Sequence, residues 1–562
     1  MKKHLFGISF IGILLLASLV LVGCRNIAVS PLAENEFTVK TPQWVAWDPS
    51  DEYSEYADLA TLYGDRTKYT TIEVPLDYAD PSIGTLEVAV LKVEAKNPSE
   101  RLGAILFNPG GPGGDGLAYG LIFNYLWSDA NPKATTETGS LFQQLGNQYD
   151  LIGFSPRGTG ASTRLTCSSD ALLLPEMVLS AENSEANISA SLHNAKIIAE
   201  ACLANPLTKY INTEATAHDM DVIRQVLGDE KLNYMGISYG TWLGTWYASL
   251  FPDHVGNMLL IGETDITGPL NDSLLLQDLG MQRVFEEILA PYASQYPNIF
   301  QLGSSSQEVI EGFAALQGML KHVLIKALDR YIALPDEADL ALFTLRAAIV
   351  IDEILEQGQG ADQAALSEML QDFNWNLGPD FYTSQVEIAQ QLGQNYYDLV
   401  NKKPEKVFLD DTDAVWWAVQ CNDAHTTYDE DSWVLQNMLN VVTYPQFGGF
   451  YLQNPCLYWD ENTIVKPSYK EIPDTASILI VQSEFDPYTP LESALKTFSV
   501  LPQSSMILVN NTYQHCIVLP YGNDELDRSV AEFFLHKKQP PRLSIVEGNP
   551  LPIYTKISEE KL

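Results

Sequence analysis

The chain alternates short apolar runs with segments of helical periodicity on both sides of a long middle region. The apolar runs predict strands at Thr71–Val74, Leu86–Val93, Ala104–Phe107, Tyr149–Phe154, Leu232–Met235, Asn257–Ile261, Ser477–Val481 and Met506–Val509. Helical spacing predicts helices at Asp219–Leu227, Thr241–Leu250 and Leu526–Leu535. This order predicts an α/β fold, in which a mostly parallel sheet is flanked by helices and the first two strands form an antiparallel entry pair.

The middle region has a different pattern, because the strand pattern disappears between Ile261 and Ser477. Apolar residues recur there at helical spacing over Leu274–Ala290, Gln307–Leu328, Glu337–Glu356 and Gln385–Val400. We therefore predict a mainly helical cap inserted between late strands of the sheet. The predicted boundaries are 43–269 for the N-terminal part of the core, 270–415 for the cap and 416–562 for the C-terminal part.

The amino terminus has the features of an export segment. Lys2 and Lys3 precede the apolar run Leu5–Val22, and Leu21-Val22-Gly23-Cys24 looks like a bacterial lipobox. We predict a lipoprotein signal peptide over 1–23 and a tether over 24–42, with an ordinary signal peptide or anchor helix as the alternative. Acyl chains on Cys24 would hold the exported protein at the bacterial cell envelope, so its membrane contact would be through the lipid anchor alone.

Four further cysteines form two equally spaced pairs along the chain. The spacing of Cys167 and Cys202 equals that of Cys421 and Cys456, which favours one disulfide within each pair in an exported protein. Spacing alone does not fix the connectivity, so other pairings stay open. In this pairing Cys516 is left as a free thiol.

The charge balance excludes several classes of partner. The chain has 72 Asp and Glu against 33 Lys and Arg, a formal net charge of −39, and no basic stripe. Nucleic-acid binding is not expected, because neutralising phosphates requires clustered cations. There is no H-E-x-x-H pattern and no zinc-like cysteine spacing, so we expect neither a metal nor an organic cofactor.

A G-x-S-x-G pentapeptide marks the candidate nucleophile. Gly236-Ile237-Ser238-Tyr239-Gly240 lies between a predicted strand and a predicted helix, where such a turn presents a serine as a nucleophile. The alternative is a Gly/Ser turn without chemistry.

The segment 107–114, FNPGGPGG, follows another predicted strand and lacks the Lys-Ser/Thr of a phosphate-binding loop. We predict an oxyanion hole from the N–H groups of Gly111 and Tyr239, although the donating glycine stays open.

Two later loops supply the candidate base and acid. His515 follows the last predicted strand, and Asp486 follows the strand before it, with Glu484 as a local rival for the acid and His425 as a weaker rival for the base. The order Ser238, Asp486, His515 along the chain is typical of α/β-hydrolases.

Taken together, these motifs resemble the secreted tripeptidyl-aminopeptidase branch of the prolyl aminopeptidase-like α/β-hydrolases. The resemblance extends over most of the mature chain and includes the segments 108–114, 156–160, 219–228, 236–241, 421–423 and 486–487. It implies the α/β-hydrolase fold with a helical cap and a C-terminal region like that of tripeptidyl aminopeptidases. It also implies a serine exopeptidase that removes one residue or a short peptide from substrates with a free N-terminus.

Substrate recognition is less determined by the sequence. A desolvated amine needs a buried carboxylate as its partner, and Glu263, Asp265, Glu286 and Glu287 are the candidates. Two other functions stay open: an esterase or other acyl hydrolase of the same fold, and a catalytically silent lipoprotein that binds peptides.

Overall fold

The computed structural model describes residues 37–49, 51–360, 362–377, 379–460 and 464–554. The predicted signal peptide, Cys24 and most of the tether lie outside these residues, so the lipid anchor stays a prediction. Within the described ranges, every helix is too short or too polar to cross a membrane.

The strands of the described residues form one large sheet and one small sheet. In chain order they are β1 (Val45–Ala46), β2 (Thr67–Pro75), β3 (Thr85–Val93), β4 (Gly103–Asn108), β5 (Tyr149–Phe154), β6 (Cys167–Leu173), β7 (Leu232–Ile237), β8 (Val255–Ile261), β9 (Glu405–Leu409), β10 (Ser477–Ser483), β11 (Ser505–Asn510) and β12 (Leu543–Glu547). The large sheet has the order β1-β2-β3-β5-β4-β7-β8-β10-β11-β12, and β6 pairs with β9 in the small sheet.

The large sheet is parallel from β5 to β12, and its first strands are antiparallel. β2 and β3 pair antiparallel with Val74 opposite Leu86, which confirms the predicted entry pair. β4 and β5 are buried along their whole length, because helices cover both faces of the sheet. The predicted α/β fold is therefore confirmed.

Helices flank the sheet and fill the region between β8 and β10. They are α1 (Ala57–Tyr63), α2 (Tyr119–Leu126), α3 (Ser140–Gln148), α4 (Glu185–Leu203), α5 (Thr213–Leu227), α6 (Tyr239–Leu250), α7 (Gln277–Arg283), α8 (Ala290–Gln295), α9 (Pro297–Phe300), α10 (Ser306–Ala315), α11 (Gly318–Tyr331), α12 (Ala338–Glu356), α13 (Gln363–Asp372), α14 (Pro379–Val400), α15 (Asp411–Asp423), α16 (Glu430–Thr443), α17 (Leu491–Val500) and α18 (Asp524–His536). A π-helical segment, Val284–Leu289, joins α7 to α8.

The helical insertion has its own hydrophobic core, built from α7 to α14 and including Phe300, Leu324 and Ile351. Tyr513, in the loop after β11, also belongs to this core and so ties the insertion to the C-terminal part of the sheet. The boundary predicted between the cap and the C-terminal part, at residue 415, falls inside α15. This helix therefore belongs partly to each of the two predicted parts.

The mainly helical middle region also contains one strand, which the sequence pattern does not indicate. β9 pairs antiparallel with β6, with Cys167 opposite Leu409. Only Val407 of β9 is buried, so the strand has no apolar run by which the sequence could reveal it. After the buried Cys167, β6 alternates exposed and half-buried positions, and the sequence pattern does not predict it either.

Two disulfides connect distant segments in the pairing that the equal spacings favour. Cys167 at the start of β6 is bonded to Cys202 near the end of α4. Cys421 in α15 is bonded to Cys456 in the loop before β10. Cys516 is free and half-buried.

Candidate active site

The G-x-S-x-G segment forms a tight turn between β7 and α6. Ser238 has φ 57° and ψ −124°, a left-handed conformation that residues other than glycine rarely adopt. A Cβ atom on Gly236 would lie 2.3 Å from the carbonyl oxygen of Gly240, and one on Gly240 would lie 2.9 Å from the carbonyl oxygen of Asn108, so both positions favour glycine. Ser238 is half-buried between the buried residues Ile237 and Tyr239. The strained backbone is thus concentrated at the predicted nucleophile.

The candidate acid and base contact each other directly. Nδ1 of His515 lies 2.8 Å from Oδ1 and 3.0 Å from Oδ2 of Asp486. Oδ1 of Asp486 also accepts hydrogen bonds from the backbone N–H groups of Tyr488 at 3.0 Å and Thr489 at 2.8 Å. Asp486 is buried, and the His515 side chain is 11% exposed. The carboxylate therefore holds one ring nitrogen of the histidine and leaves the other available.

The order of the strands brings these loops to one edge of the sheet. Ser238, Asp486 and His515 follow β7, β10 and β11, and only β8 lies between the first two strands. The backbone N–H of Ser238 donates to Ile261 at 2.8 Å, and that of Gly262 donates to Val481 at 3.0 Å. In the described part of the chain no hydrogen bond joins the Ser238 hydroxyl to His515, a contact that often tightens only with substrate.

The loops after β8, β10 and β11 can approach one another closely because Gly262 has no side chain. Its φ is +67°, and a Cβ atom there would lie 3.1 Å from the carbonyl oxygen of His515 and 3.3 Å from Oδ2 of Asp486. A side chain at this position would therefore push the candidate acid and base away from the sheet.

The rival residues lie elsewhere. The carboxylate of Glu484 accepts a hydrogen bond from the backbone N–H of Asn511 at 2.8 Å and does not bind His515. His425 lies just after α15 and makes no contact with Asp486 or Ser238 among the described hydrogen bonds. The geometry thus favours Asp486 and His515 over both alternatives.

Two residues of the acid loop were not predicted as part of the site. The ring of Tyr488 packs edge-on against that of His515, with 5.2 Å between the ring centroids. Oγ1 of Thr489 lies 3.4 Å from Nδ1 of His515. In the sequence, only their position directly after Asp486-Pro487 indicates that they belong to the site. Residues of the turn that holds the catalytic acid also lie next to the histidine that this acid contacts.

The glycine-rich loop packs against the serine turn. A Cβ atom on Gly110 would lie 2.3 Å from the carbonyl oxygen of Ile237 and 3.1 Å from the backbone nitrogen of Tyr239. Gly110 and Gly111 both have positive φ, at 94° and 104°. The predicted oxyanion donors, Gly111 and Tyr239, therefore belong to two segments in van der Waals contact. Tyr239 is also the first residue of α6, whose initial N–H groups lack partners within the helix.

Glu263 lacks the access to solvent that a carboxylate needs in order to bind a substrate amine. Its side chain is fully buried, and neither carboxyl oxygen has a hydrogen-bond partner among the described residues. Burial raises its pKa from 4.5 to about 8, and the nearby Thr241 hydroxyl lowers the pKa only in part. A carboxyl group with no opening to solvent is badly placed to meet a substrate amine, so the structure gives no support for this role.

The other candidate acids also have local partners or lie in the open. Asp265 forms an ion pair with Lys496 at 2.8 Å. Glu286 accepts a hydrogen bond from Gln282 at 2.7 Å, and Glu287 is exposed. No group of three or more His, Cys, Asp or Glu side chains suited to a metal ion occurs among the residues that the structure describes.

Comparison with protein families agrees with this architecture. A family model for the α/β-hydrolase fold matches residues 103–295, which include the glycine-rich loop and the serine turn. The chain has the α/β-hydrolase fold. A second model, described as TAP-like protein, matches residues 444–544 and so includes Asp486 and His515 of this α/β-hydrolase.

Several curated proteins are similar to this α/β-hydrolase over most of their length. A tripeptidyl aminopeptidase of Streptomyces lividans is 27% identical, with 81% of this chain and 80% of that protein aligned. The serine protease Hip1 of Mycobacterium tuberculosis is 24% identical, with 93% and 94% aligned. A protein named carboxylesterase B of the same species is 28% identical, with 93% and 95% aligned.

Proposed function

We propose that this α/β-hydrolase is a serine peptidase that releases single residues or short peptides from free N-termini. The observation that carries the proposal is the 2.8 Å contact between Nδ1 of His515 and Asp486, at the same sheet edge as the strained turn at Ser238. Binding alone would require neither the strained serine nor the paired histidine, which argues against a silent peptide-binding protein.

The proposed mechanism is acyl transfer through a covalent intermediate. Asp486 accepts the Nδ1–H of His515, so Nε2 is free to take the proton of the Ser238 hydroxyl as this oxygen attacks the scissile carbonyl. The backbone N–H groups of Tyr239 and Gly111 stabilise the oxyanion. His515 then gives the proton to the leaving amine. In the second half of the reaction His515 takes a proton from the attacking water and returns it to the Ser238 oxygen as the acyl group leaves as a carboxylic acid.

The helical insertion supports an exopeptidase over an endopeptidase. The backbone N–H of His515 donates to Ala333, just after α11 of the insertion, at 3.2 Å. Gly280 of α7 packs on Pro487 so closely that a Cβ atom there would lie 2.2 Å from the Pro487 carbonyl oxygen. Helices that close directly over the acid and base leave room for a chain end more readily than for the middle of a folded protein. The relatives named as tripeptidyl aminopeptidases support the same choice.

Ester hydrolysis is the second candidate function. A relative named carboxylesterase B covers 93% of the chain, and the same serine, histidine and acid can transfer acyl groups from esters. The two functions differ in the leaving group, because an amine must be protonated by His515 as it departs and an alkoxide is a better leaving group.

A panel of matched substrates separates these functions. Chromogenic amides of one, two and three residues, each with a free and with an acetylated N-terminus, are compared with simple acyl esters on the full chain. We expect hydrolysis of the free-amine peptides and a loss of at least about 10³-fold in kcat for Ser238→Ala.

Two outcomes would contradict the proposal. Equal rates on free and acetylated peptides, or hydrolysis of esters alone, would favour a general acyl hydrolase. Hydrolysis at the wild-type rate by Ser238→Ala would rule out the mechanism itself.

A further inference from the structure

A buried chain of hydrogen bonds lies behind the serine turn. The Tyr239 hydroxyl lies 2.6 Å from Oγ1 of Thr213, and the Thr213 hydroxyl donates in turn to Oδ2 of Asp423 at 2.6 Å. Thr213 is the first residue of α5, and Asp423 is the last residue of α15. All three side chains are buried. The chain of hydrogen bonds therefore joins the residue after the candidate nucleophile to two other helices.

The carboxylate of Asp423 fixes the direction of these hydrogen bonds. An ionised carboxylate only accepts hydrogen bonds, and a threonine hydroxyl has a single proton to give. Because Thr213 gives that proton to Asp423, the Tyr239 hydroxyl has to donate to Oγ1 of Thr213. Burial raises the pKa of Asp423 to about 6, although hydrogen bonds from Thr213 and Trp242 oppose this rise, so the group is mainly ionised at neutral pH.

Asp423 holds the first turn of α6 at two positions. Its Oδ2 also accepts the indole N–H of Trp242 at 2.9 Å, and its Oδ1 accepts the backbone N–H of Thr213 at 2.8 Å. Tyr239 and Trp242 are three residues apart in α6, so they lie on one face of the helix. One carboxylate thus anchors this face, directly at Trp242 and through Thr213 at Tyr239. The N–H of Tyr239, the proposed oxyanion donor, belongs to the anchored turn.

The other end of α15 packs against the second segment of the proposed oxyanion hole. A Cβ atom on Gly113 would lie 2.4 Å from the carbonyl oxygen of Thr412 and 3.3 Å from the backbone nitrogen of Trp416. Gly113 belongs to the same glycine-rich loop as Gly111. The single helix α15 therefore contacts both segments that would supply the oxyanion donors, one at its start and the other through Asp423 at its end.

The two residues before Asp423 hold the end of α15 in place. Cys421 forms the disulfide bond with Cys456. The side-chain amide of Asn422 donates to two backbone carbonyl oxygens in the segment before α5, at 2.7 and 2.9 Å. Asp423 is therefore fixed by a covalent cross-link two residues away and by the amide of its neighbour.

We propose that Asp423 is a positioning residue for the oxyanion hole, because through Thr213 and Trp242 it sets the orientation of the Tyr239 N–H. This inference rests on the proposed acyl-transfer function and deepens it. In this role Asp423 touches neither the substrate nor the reacting atoms. Donors stabilise an oxyanion best when they are fixed in advance. A loosened Tyr239 should therefore slow the formation of the tetrahedral intermediate and leave substrate binding unchanged.

The test removes single hydroxyl groups from the hydrogen-bond chain. Tyr239→Phe and Thr213→Val each break the link to Asp423 and keep the size of the side chain. We expect each to lower kcat on a tripeptide amide about tenfold with KM within about twofold, because one oxyanion donor is displaced and not lost. The double variant should lose about tenfold and not a hundredfold, because both changes break the same link. Thr213→Ser should restore the rate.

A tetrahedral inhibitor distinguishes positioning from general damage to the fold. A peptide aldehyde accepts the Ser238 oxygen at its carbonyl carbon, so its own oxygen takes the place of the oxyanion. We expect its Ki to rise about tenfold in Tyr239→Phe and in Thr213→Val. Thr216→Val is the matched control, because Thr216 is another buried threonine of α5 whose hydroxyl donates to the backbone carbonyl oxygen of Asn212. It should keep kcat and Ki within about twofold of the wild type.

Asp423→Asn changes the positioning residue itself. The amide NH₂ group would face a donor that now points at the carboxylate, so we expect a loss of about 10²-fold in kcat. Circular dichroism checks that this variant folds, and Tyr239→Phe and Thr213→Val decide the question if it does not. An unchanged kcat in Tyr239→Phe, a lower kcat with unchanged affinity for the aldehyde, or additive losses in the double variant would overturn the proposal.

A failure of the peptidase function can be separated from a failure of this inference. A fluorophosphonate reacts with an activated serine whatever the natural substrate is: the Ser238 oxygen bonds to phosphorus, fluoride leaves and the phosphoryl oxygen enters the oxyanion hole. If the wild type is labelled but hydrolyses no peptide, the proposed function is wrong. Labelling about tenfold slower in Tyr239→Phe and Thr213→Val would then still support the role of Asp423, and equal rates would reject it. A wild type that is not labelled would reject both.

Discussion

Two buried carboxyl groups at the ends of neighbouring strands have opposite surroundings. Asp486, after β10, accepts hydrogen bonds from two backbone N–H groups and contacts His515. Glu263, after β8, is equally buried but accepts no hydrogen bond from a backbone N–H among the described residues, and the nearby Thr241 hydroxyl offsets only part of the effect of burial on its pKa. Burial therefore does not define an active acid. The donors that the loop supplies decide whether a buried carboxyl group can hold a charge or stays protonated.

The largest effect is expected where the partnered acid is changed. Asp486→Asn keeps the shape of the side chain but no longer selects the histidine tautomer, so we expect kcat on a tripeptide amide to fall about 10⁴-fold. Glu484→Gln is the matched control from the same loop and should stay within about twofold of the wild type. A small loss in Asp486→Asn together with a large loss in Glu484→Gln would reverse the assignment of the acid.

A large effect on stability is expected at the unpartnered acid. The pKa of Glu263 is about 8 in the folded protein against 4.5 as the usual value, so between pH 4.5 and pH 8 the folded state keeps a proton that the unfolded state has lost. The free energy of unfolding should therefore fall as pH rises through this window, by at most about 1.4 kcal/mol per pH unit from this group. Glu263→Gln should remove this slope and be the more stable protein at pH 8.

Denaturant unfolding of both proteins at pH 5, 6, 7 and 8 measures this difference. We expect the advantage of Glu263→Gln to grow with pH and reach a few kcal/mol. Parallel curves for the two proteins would mean that the Glu263 carboxyl group gains partners in solution. The comparison with Asp486 would then no longer hold.

A smaller effect is expected at Thr489, which positions the histidine and does not touch the substrate in our proposal. Thr489→Val removes the hydroxyl 3.4 Å from Nδ1 of His515 while keeping the shape, and we expect kcat to fall about tenfold with KM little changed. Thr489→Ser should restore the rate, because the hydroxyl returns. A loss in Thr489→Ser equal to that in Thr489→Val would assign the effect to packing.

The candidate site was predictable where its residues lie in local patterns. The turn at Ser238 is recognisable because its glycines, the preceding strand and the following helix are adjacent in the sequence. Asp486 and His515 were found from their positions after the last apolar runs. Tyr488 and Thr489 were missed, because no periodicity separates them from ordinary residues of a turn.

Local sequence determined the strands and helices of the core, the serine turn and the order of the three candidate catalytic residues, because periodicity and turn chemistry act between residues close in the chain. Tertiary structure alone decided the rest. Only in the folded chain does β6 pair with β9, and only there does Asp486 rather than Glu484 contact His515. The burial of Glu263 likewise depends on the tertiary structure. Each of these outcomes depends on which distant segments pack together, and the free energy of that packing is not encoded in any one stretch of sequence.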